Sequence, residues 1–258
     1  MPRKVRILLT NDDGIDAPGI KALYRELTQI GDVTVVAPLI EMSAVGHAIT
    51  LSNPLRVRHI DKSDGAGITG YAVDGTPADC VKIAYWALLK TAPEIVVSGI
   101  NLGGNTGINT IYSGTVSAAT EGAILDLPAF AISLATYRNP DFSYAAKFAR
   151  ELIPVVMRNR LPRGVFLNVN VPPVPGDKIK GVSVTRQGRA LFEEKFDKRV
   201  DPHGNTYYWL TGQKVNVETS TDADDAAINE SMVSITPVHY DLTHYDSLDF
   251  IRSWKIEK

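Results

Sequence analysis

The chain has 258 residues, 44% of them hydrophobic and 22% charged, with 27 Lys and Arg against 29 Asp and Glu and a formal net charge of −2. That length can bury a full core, as one domain or as one large domain with an appendage. The near-neutral balance leaves no electrostatic footprint for nucleic acid or an anionic membrane surface, so neither is an expected partner.

The single cysteine, Cys80, excludes an intrachain disulfide and suits a reducing compartment. The basic start Met1-Pro2-Arg3-Lys4 is followed by an apolar run that meets Asp12 and Asp13 too early for a signal peptide. No stretch approaches the roughly 18 apolar residues that span a bilayer. The expected location is the cytoplasm.

Residues 5–10, VRILLT, form a β-branched and aliphatic run that predicts a strand buried on both faces. It stops at Asn11-Asp12-Asp13-Gly14, where turn chemistry and two adjacent carboxylates coincide. Pro18 then suits the first turn of a helix carrying Ile20, Leu23, Tyr24 and Leu27 on one face. Strand, acidic turn and helix in that order place Asp12 and Asp13 in the crevice where open α/β sheets bind ligands. Two carboxylates there repel an anionic ligand unless a cation neutralises them, which points to a hard divalent metal. The pattern lacks the G-x-G-x-x-G of a dinucleotide fold, and the adjacent acids differ from the D-x-D of aspartyl-phosphate phosphatases.

Residues 33–37 predict a second buried strand ended by Pro38, and 39–53 a loop containing Ser43, Gly46 and His47 that overhangs the same crevice. Residues 55–60 and 68–73 predict an antiparallel excursion around Asp64-Gly65-Ala66-Gly67. Thr76-Pro77-Ala78-Asp79 is a helix start, with the helix running to about Leu89 and holding Cys80 as a buried apolar group. Residues 94–98 predict a strand and 99–113 a long glycine-rich loop. The segment from Thr115 has the helical spacing Val116, Ala119, Ala123, and 128–134 and 144–157 predict a further strand and helix. Alternation of this kind implies βαβ units and a mostly parallel sheet.

Beyond about residue 161 the pattern changes. A strand is expected at 165–171, followed by a break at Pro172-Pro173-Val174-Pro175-Gly176. A charged hairpin is expected at 189–200 and 205–210, a last strand at 232–236 and a C-terminal helix near 245–254. A long polar hairpin bearing Phe196, Tyr207, Tyr208 and Trp209 is marginal alone, so it is expected to pack on another subunit. Asp222-Ala223-Asp224-Asp225 reads as a solvated acidic helix start. The resulting expectation is a Rossmann-like core at 1–175 and a C-terminal segment at 176–258.

The glycine loop Gly99-Ile100-Asn101-Leu102-Gly103-Gly104-Asn105-Thr106-Gly107 lacks the Lys-Ser/Thr of a P-loop. Followed by Tyr112-Ser113-Gly114-Thr115 at a helix start, it offers backbone amides, hydroxyls and the helix dipole to an anion. Asn101 and Asn105 supply neutral oxygens that a hard cation accepts. No Gly-x-Ser-x-Gly elbow supports a serine hydrolase, and the five histidines show no zinc spacing. An anion site beside an acidic pair suits a metal-assisted phosphate-ester hydrolase, with Asn105, Ser113, Gly114 and Thr115 as the expected phosphate-binding residues.

Three long motifs carry a family resemblance: ILLTNDDGI-x-APG at 7–19, VSGIN-x-G-x-N-x-G at 97–107 and YSGTV-x-AA-x-EG at 112–122. With VVAP at 35–38, Ser43 and DGTPADCV at 74–81, the chain resembles the SurE family, the stationary-phase survival proteins, which are metal-dependent nucleotidases. The resemblance is weaker after about Gly176. It implies a Rossmann-like fold holding one Mg²⁺ or Mn²⁺ per subunit through Asp12, Asp13, Ser43 and Asn101; Asp12 and Asp13 are the expected catalytic residues, as base, nucleophile or metal ligand. It implies a 5′-nucleotidase acting on nucleoside 5′- and 3′-monophosphates, with short polyphosphate cleaved by some members. It also implies homodimers or homotetramers formed by exchange of C-terminal elements. A phosphatase for non-nucleotide esters and a non-catalytic nucleotide-binding module are the alternatives.

Overall fold

The run Val5–Thr10 forms a parallel strand, β1, whose last four residues are fully buried because both faces of the sheet are covered. Ile7 and Leu9 point to one apolar layer and Leu8 to the other, the two-residue alternation of a strand with no wet face. The structure, a computed structural model, describes residues 4–61, 67–215 and 220–254. The tip of the excursion at Asp64-Gly65-Ala66 lies outside the described residues.

Helix α1, Pro18–Leu27, starts with proline at its first position as expected, and strand β2, Gly31–Pro38, returns parallel to β1. Strands β3, Val57–Ile60, and β4, Gly70–Val73, pair antiparallel, and β4 lies parallel to β2. Helix α2, Pro77–Ile83, has the predicted capping box. Thr76 Oγ1 accepts from the Asp79 amide, and an Asp79 carboxylate oxygen accepts from the Thr76 amide. A π-helical turn at Ala84–Leu88 extends it.

Strand β5 runs Ile95–Leu102, longer than predicted, so the first four residues of the expected glycine loop are sheet. Its register against the next strand shifts between Gly99 and Asn101, a bulge that re-aims the strand end next to the site. Two short elements follow, α3 at Asn109–Tyr112 and then α4 at Gly114–Ile124. Strand β6, Ala129–Leu134, helix α5, Ser143–Asn159, and strand β7, Val165–Val171, complete the parallel part.

The C-terminal residues return to the same sheet. Strand β8 is Val182–Val184. Strands β9, Leu191–Val200, and β10, Thr206–Val215, make a separate two-stranded ribbon. Helix α6, Asp224–Asn229, leads to β11, Val233–His239, which lies antiparallel to β7 and parallel to β8. Helix α7 is Leu248–Arg252. The sheet order is β3-β4-β2-β1-β5-β6-β7-β11-β8.

Helices α1 and α5 cover one face through Ile20, Leu23, Ala149 and Ile153, while α2 and α4 cover the other through Cys80, Val81, Val116 and Ala119. From β1 the chain builds outward through β2 on one side, then crosses to β5 on the other. The boundary between β1 and β5 is therefore the topological switch point, where the two connections diverge and leave a crevice. Asp12 and Asp13 follow β1, and Asn101 lies near the end of β5. Among the described residues no helix is long and apolar enough to cross a membrane.

Candidate metal and phosphate site

The turn after β1 is built by its own side chains. Asn11 donates through Nδ2 to the Gly14 carbonyl at 2.8 Å, a short side-chain-to-backbone closure that turns the chain back toward α1. Gly14 adopts φ +95°, and a Cβ there would press on the Ile40 backbone at 3.3 Å, so only glycine lets the next loop lie close. That loop is fastened to the turn: the Met42 amide donates to the Asp12 carbonyl at 2.8 Å and the Ile15 amide to the Pro38 carbonyl at 2.9 Å. Farther along, the Gly46 amide donates to the Tyr112 carbonyl at 3.0 Å, Ser117 donates to the Gly46 carbonyl at 2.7 Å, and His47 Nε2 meets Glu121 at 2.8 Å. Ser43, on the segment between these ties, lines a cavity of about 450 Å³ with Asp12, Asn101, Asn105 and Ser113.

Asp12 is buried and held rigidly. The Thr115 amide donates to its Oδ2 at 3.0 Å and the Thr115 hydroxyl donates to its Oδ1. Helix α4 comes this close because Gly114 has no side chain: a Cβ there would lie 2.8 Å from the Asp12 Cβ. Asp13 accepts from the Leu102 amide at 3.2 Å, which ties the turn across the switch point to β5.

Burial pushes the carboxyl of Asp12 above its ordinary value despite the Thr115 donors, and pushes Asp13 up to about 7, with the Asp12 charge and Glu41 adding to the effect. Among the described residues neither carboxylate forms an ion pair with Lys, Arg or His. Two desolvated anions beside neutral oxygens and without a cationic side chain fit a hard divalent cation, which takes oxygen ligands. Asn101 uses Nδ2 on the Gly103 carbonyl at 2.7 Å, which leaves its amide oxygen as the side-chain acceptor. Ser43 donates its hydroxyl to Glu41 at 2.6 Å and retains its lone pairs. Among the described residues no three His, Cys, Asp or Glu side chains form a metal cluster, so any such site depends on these neutral oxygens.

The residues expected to bind phosphate divide into two groups. Asn105 and Ser113 line the cavity. Asn105 is fixed from the sheet: its amide donates to Asn170 at 2.8 Å, its Nδ2 to Ser133 at 2.8 Å, and its carbonyl accepts from Asn168 at 2.7 Å. The amide nitrogen carries two hydrogens, and Ser133 uses one. Ser113 caps α4, accepting from the Val116 amide at 3.1 Å. Gly114 and Thr115 pack against Asp12 instead. Thr115 is a correction to the sequence reading, because both of its donors are spent on Asp12 and it is fully buried.

Several cavity residues were not anticipated. Tyr137 follows β6, while Glu194 and Leu210 come from the ribbon. The acidic helix start is a second correction: Asp224 is fully buried and Asp225 is 8% exposed, with both bonded to the glycine loop. Only their buried partners distinguish them from solvated acids, and those partners lie more than a hundred residues away in sequence.

The family model described as Survival protein SurE matches residues 7–194. The chain belongs to the SurE family. It is 54% identical over 250 residues to the 5′-nucleotidase SurE of Syntrophus aciditrophicus (strain SB), covering 96% of this chain and 93% of that protein. It is 49% identical over 252 residues to the 5′-nucleotidase SurE of Syntrophobacter fumaroxidans (strain DSM 10017 / MPOB), covering 98% of this chain and all of that one. The crystal structure of the SurE protein from Aquifex aeolicus superposes with a TM-score of 0.83 at 41% identity, covering 95% of this chain and 98% of that chain. The acidic turn, the glycine loop and α4 all lie within the span matched by the SurE model.

The raised carboxyl of Asp13 has a consequence for stability. Between the ordinary value of 3.8 and about 7, the folded protein binds more protons at Asp13 than the unfolded chain does. The metal-free protein therefore loses stability as pH rises through that window. Asp13→Asn removes this slope and is expected to raise Tm at about pH 8 by roughly 2–4 °C, equivalent to about 1 kcal/mol. Calorimetry in EDTA checks this, and a variant melting at or below the parent protein there contradicts an uncompensated charge at half-buried Asp13.

Proposed function

We propose that this chain is a divalent-metal-dependent nucleotidase that hydrolyses nucleoside monophosphates to nucleoside and phosphate. The observation that carries this reading is the adjacent, cation-free carboxylates of buried Asp12 and half-buried Asp13, with Asp12 on a cavity shared with Ser43, Asn101, Asn105 and Ser113, in a member of a family whose relatives are named 5′-nucleotidases.

Asp12, Asp13, Ser43 and Asn101 would hold one Mg²⁺ or Mn²⁺. Such an ion supplies charge neutralisation at a phosphoryl oxygen and lowers the pKa of bound water. Thr115 fixes Asp12 in one orientation, so that carboxylate needs no rearrangement when substrate arrives. Asn105 and Ser113 would present neutral donors to phosphate oxygens at the cavity wall, with Gly114 following Ser113 at the helix start. Donors held in place before the reaction can stabilise charge that grows in the transition state.

Exposed Tyr112, Tyr137 and Leu210 also line the cavity. Aromatic faces of this kind stack on a nucleobase and tolerate more than one base. This supports a nucleoside over a simple sugar phosphate. Activity on 3′-monophosphates and short polyphosphate belongs to the same reading. So does a cytoplasmic setting, supported by the lone buried thiol of Cys80.

Assembly of identical subunits through the C-terminal segment is also part of the proposal. The β9–β10 ribbon stands outside the main sheet with Phe196, Tyr208 and Trp209 exposed. Leu242 is 93% exposed and Phe250 on α7 is 64% exposed. Apolar side chains gathered on protruding elements mark an interface.

Phosphate release tests the activity directly. Nucleoside 5′- and 3′-monophosphates, sugar phosphates and polyphosphate are to be compared with Mg²⁺ or Mn²⁺ and with EDTA. Nucleotides are expected to turn over only with metal, and Asp12→Asn and Asp13→Asn to lower kcat/KM by about a hundredfold or more. Full metal-dependent turnover in either variant would contradict the scheme, and nucleotide binding without phosphate release would make the chain a regulatory module. For assembly, removing residues 191–215 is expected to lower the mass in solution by light scattering toward that of one chain. An unchanged mass would show that the ribbon does not join subunits.

A further inference from the structure

The glycine loop is held from two sides, and the second of these plays no part in the function described above. Asn105 is fastened to β6 and β7, but the next two residues are fastened to the C-terminal segment. Thr106 donates its hydroxyl to Asp225 Oδ1 at 2.7 Å. The Gly107 amide donates to Asp224 Oδ2 at 2.9 Å, and its carbonyl accepts from Gln187 Nε2 at 2.8 Å. Asp224 also accepts from the Gly188 amide at 3.0 Å and the Asp225 amide at 2.8 Å, both through Oδ1. One buried carboxylate thus joins the glycine loop, the segment leading to the ribbon and the start of α6.

Asp224 and Asp225 do not suit a purely stabilising role. Burial raises the carboxyl of Asp224, and the neighbouring Asp225 charge raises it further. Placing two adjacent acids there works against stability unless the donors they capture matter. The donors captured from the loop are the two residues that follow Asn105.

We infer that Asp224 and Asp225 are positioning residues for the phosphate side of the site, holding Thr106–Gly107 and through them Asn105. This rests on the nucleotidase reading above. It means that the C-terminal segment sets the geometry of a loop that belongs to the core. Neither aspartate is among the residues that line the cavity, and each acts through the loop backbone or the Thr106 hydroxyl.

The bonding pattern supplies a selective variant. In Asp224→Asn the amide oxygen can keep the Gly188 and Asp225 amides at the Oδ1 position, while the NH₂ group faces the Gly107 amide and cannot accept from it. Thr106→Val removes the bond to Asp225 while keeping the side-chain shape, and Thr106→Ser keeps the hydroxyl.

Hydrogen exchange at the Gly107 amide, in protein without metal or nucleotide, is expected to quicken about tenfold in Asp224→Asn. kcat/KM for a nucleoside monophosphate is expected to fall about tenfold or more in Asp224→Asn and Thr106→Val, as misplacement of a binding loop would cause. Tm should stay within about 2 °C of the parent protein, and Thr106→Ser should restore activity.

Unchanged exchange at Gly107 would overturn the inference. So would parental kcat/KM in both Asp224→Asn and Thr106→Val, or a loss in Thr106→Ser equal to that in Thr106→Val. Should Asp224→Asn fail to fold, the Thr106 pair decides alone. If the parent protein releases no phosphate from any nucleoside monophosphate, the nucleotidase reading fails, while exchange at Gly107 still decides whether Asp224 holds the loop.

Discussion

Moving two adjacent carboxylates out of water and into the crevice between β1 and β5 costs several kcal/mol unless positive charge or well-aimed donors meet them. The surroundings of Asp12 and Asp13 answer that cost only in part. Thr115 satisfies Asp12 with an amide and a hydroxyl, and the Leu102 amide reaches Asp13. Burial still outweighs these donors, because both carboxyls remain raised. This imbalance is what the proposed cation would relieve, and Ser43 and Asn101 line the same cavity as Asp12.

The rest of the fold follows from bringing four separate segments to that point. The switch in strand order opens the crevice, and the bulge in β5 re-aims the strand end that carries Asn101. The loop bearing Ser43 is tied to the acidic turn at one end and to α4 at the other. Gly114 lets α4 approach until its first turn bonds Asp12, so the helix start that borders the proposed phosphate side also fixes a carboxylate of the proposed metal side. The core behind these segments is apolar on both faces of the sheet, which gives them a rigid support.

Local signals made much of this readable from the sequence. The apolar run at 5–10 revealed a doubly covered strand, and the turn chemistry after it located the two acids. Proline and the capping box marked the starts of α1 and α2. The family resemblance then supplied Ser43, which carries no signal of its own. The failures share one cause, which is that their deciding partners are distant in the chain. Gly99, Ile100, Asn101 and Leu102 read as loop, yet neighbours in β6 keep them in the sheet. Asp224 and Asp225 read as solvated acids because nothing nearby announces Thr106 and Gly107 as partners. Tyr137, Glu194 and Leu210 reach the cavity only through tertiary placement.

Anomalous scattering from crystals of the protein soaked in Mn²⁺ tests the central claim most directly. The account predicts one strong peak per subunit within coordinating distance, about 2.0–2.3 Å, of oxygens from Asp12 and Asp13, with Ser43 and Asn101 completing the protein ligands. The peak should vanish in Asp12→Asn. A manganese ion bound elsewhere, or an ordered site between β1 and β5 that stays empty at saturating Mn²⁺, would contradict it.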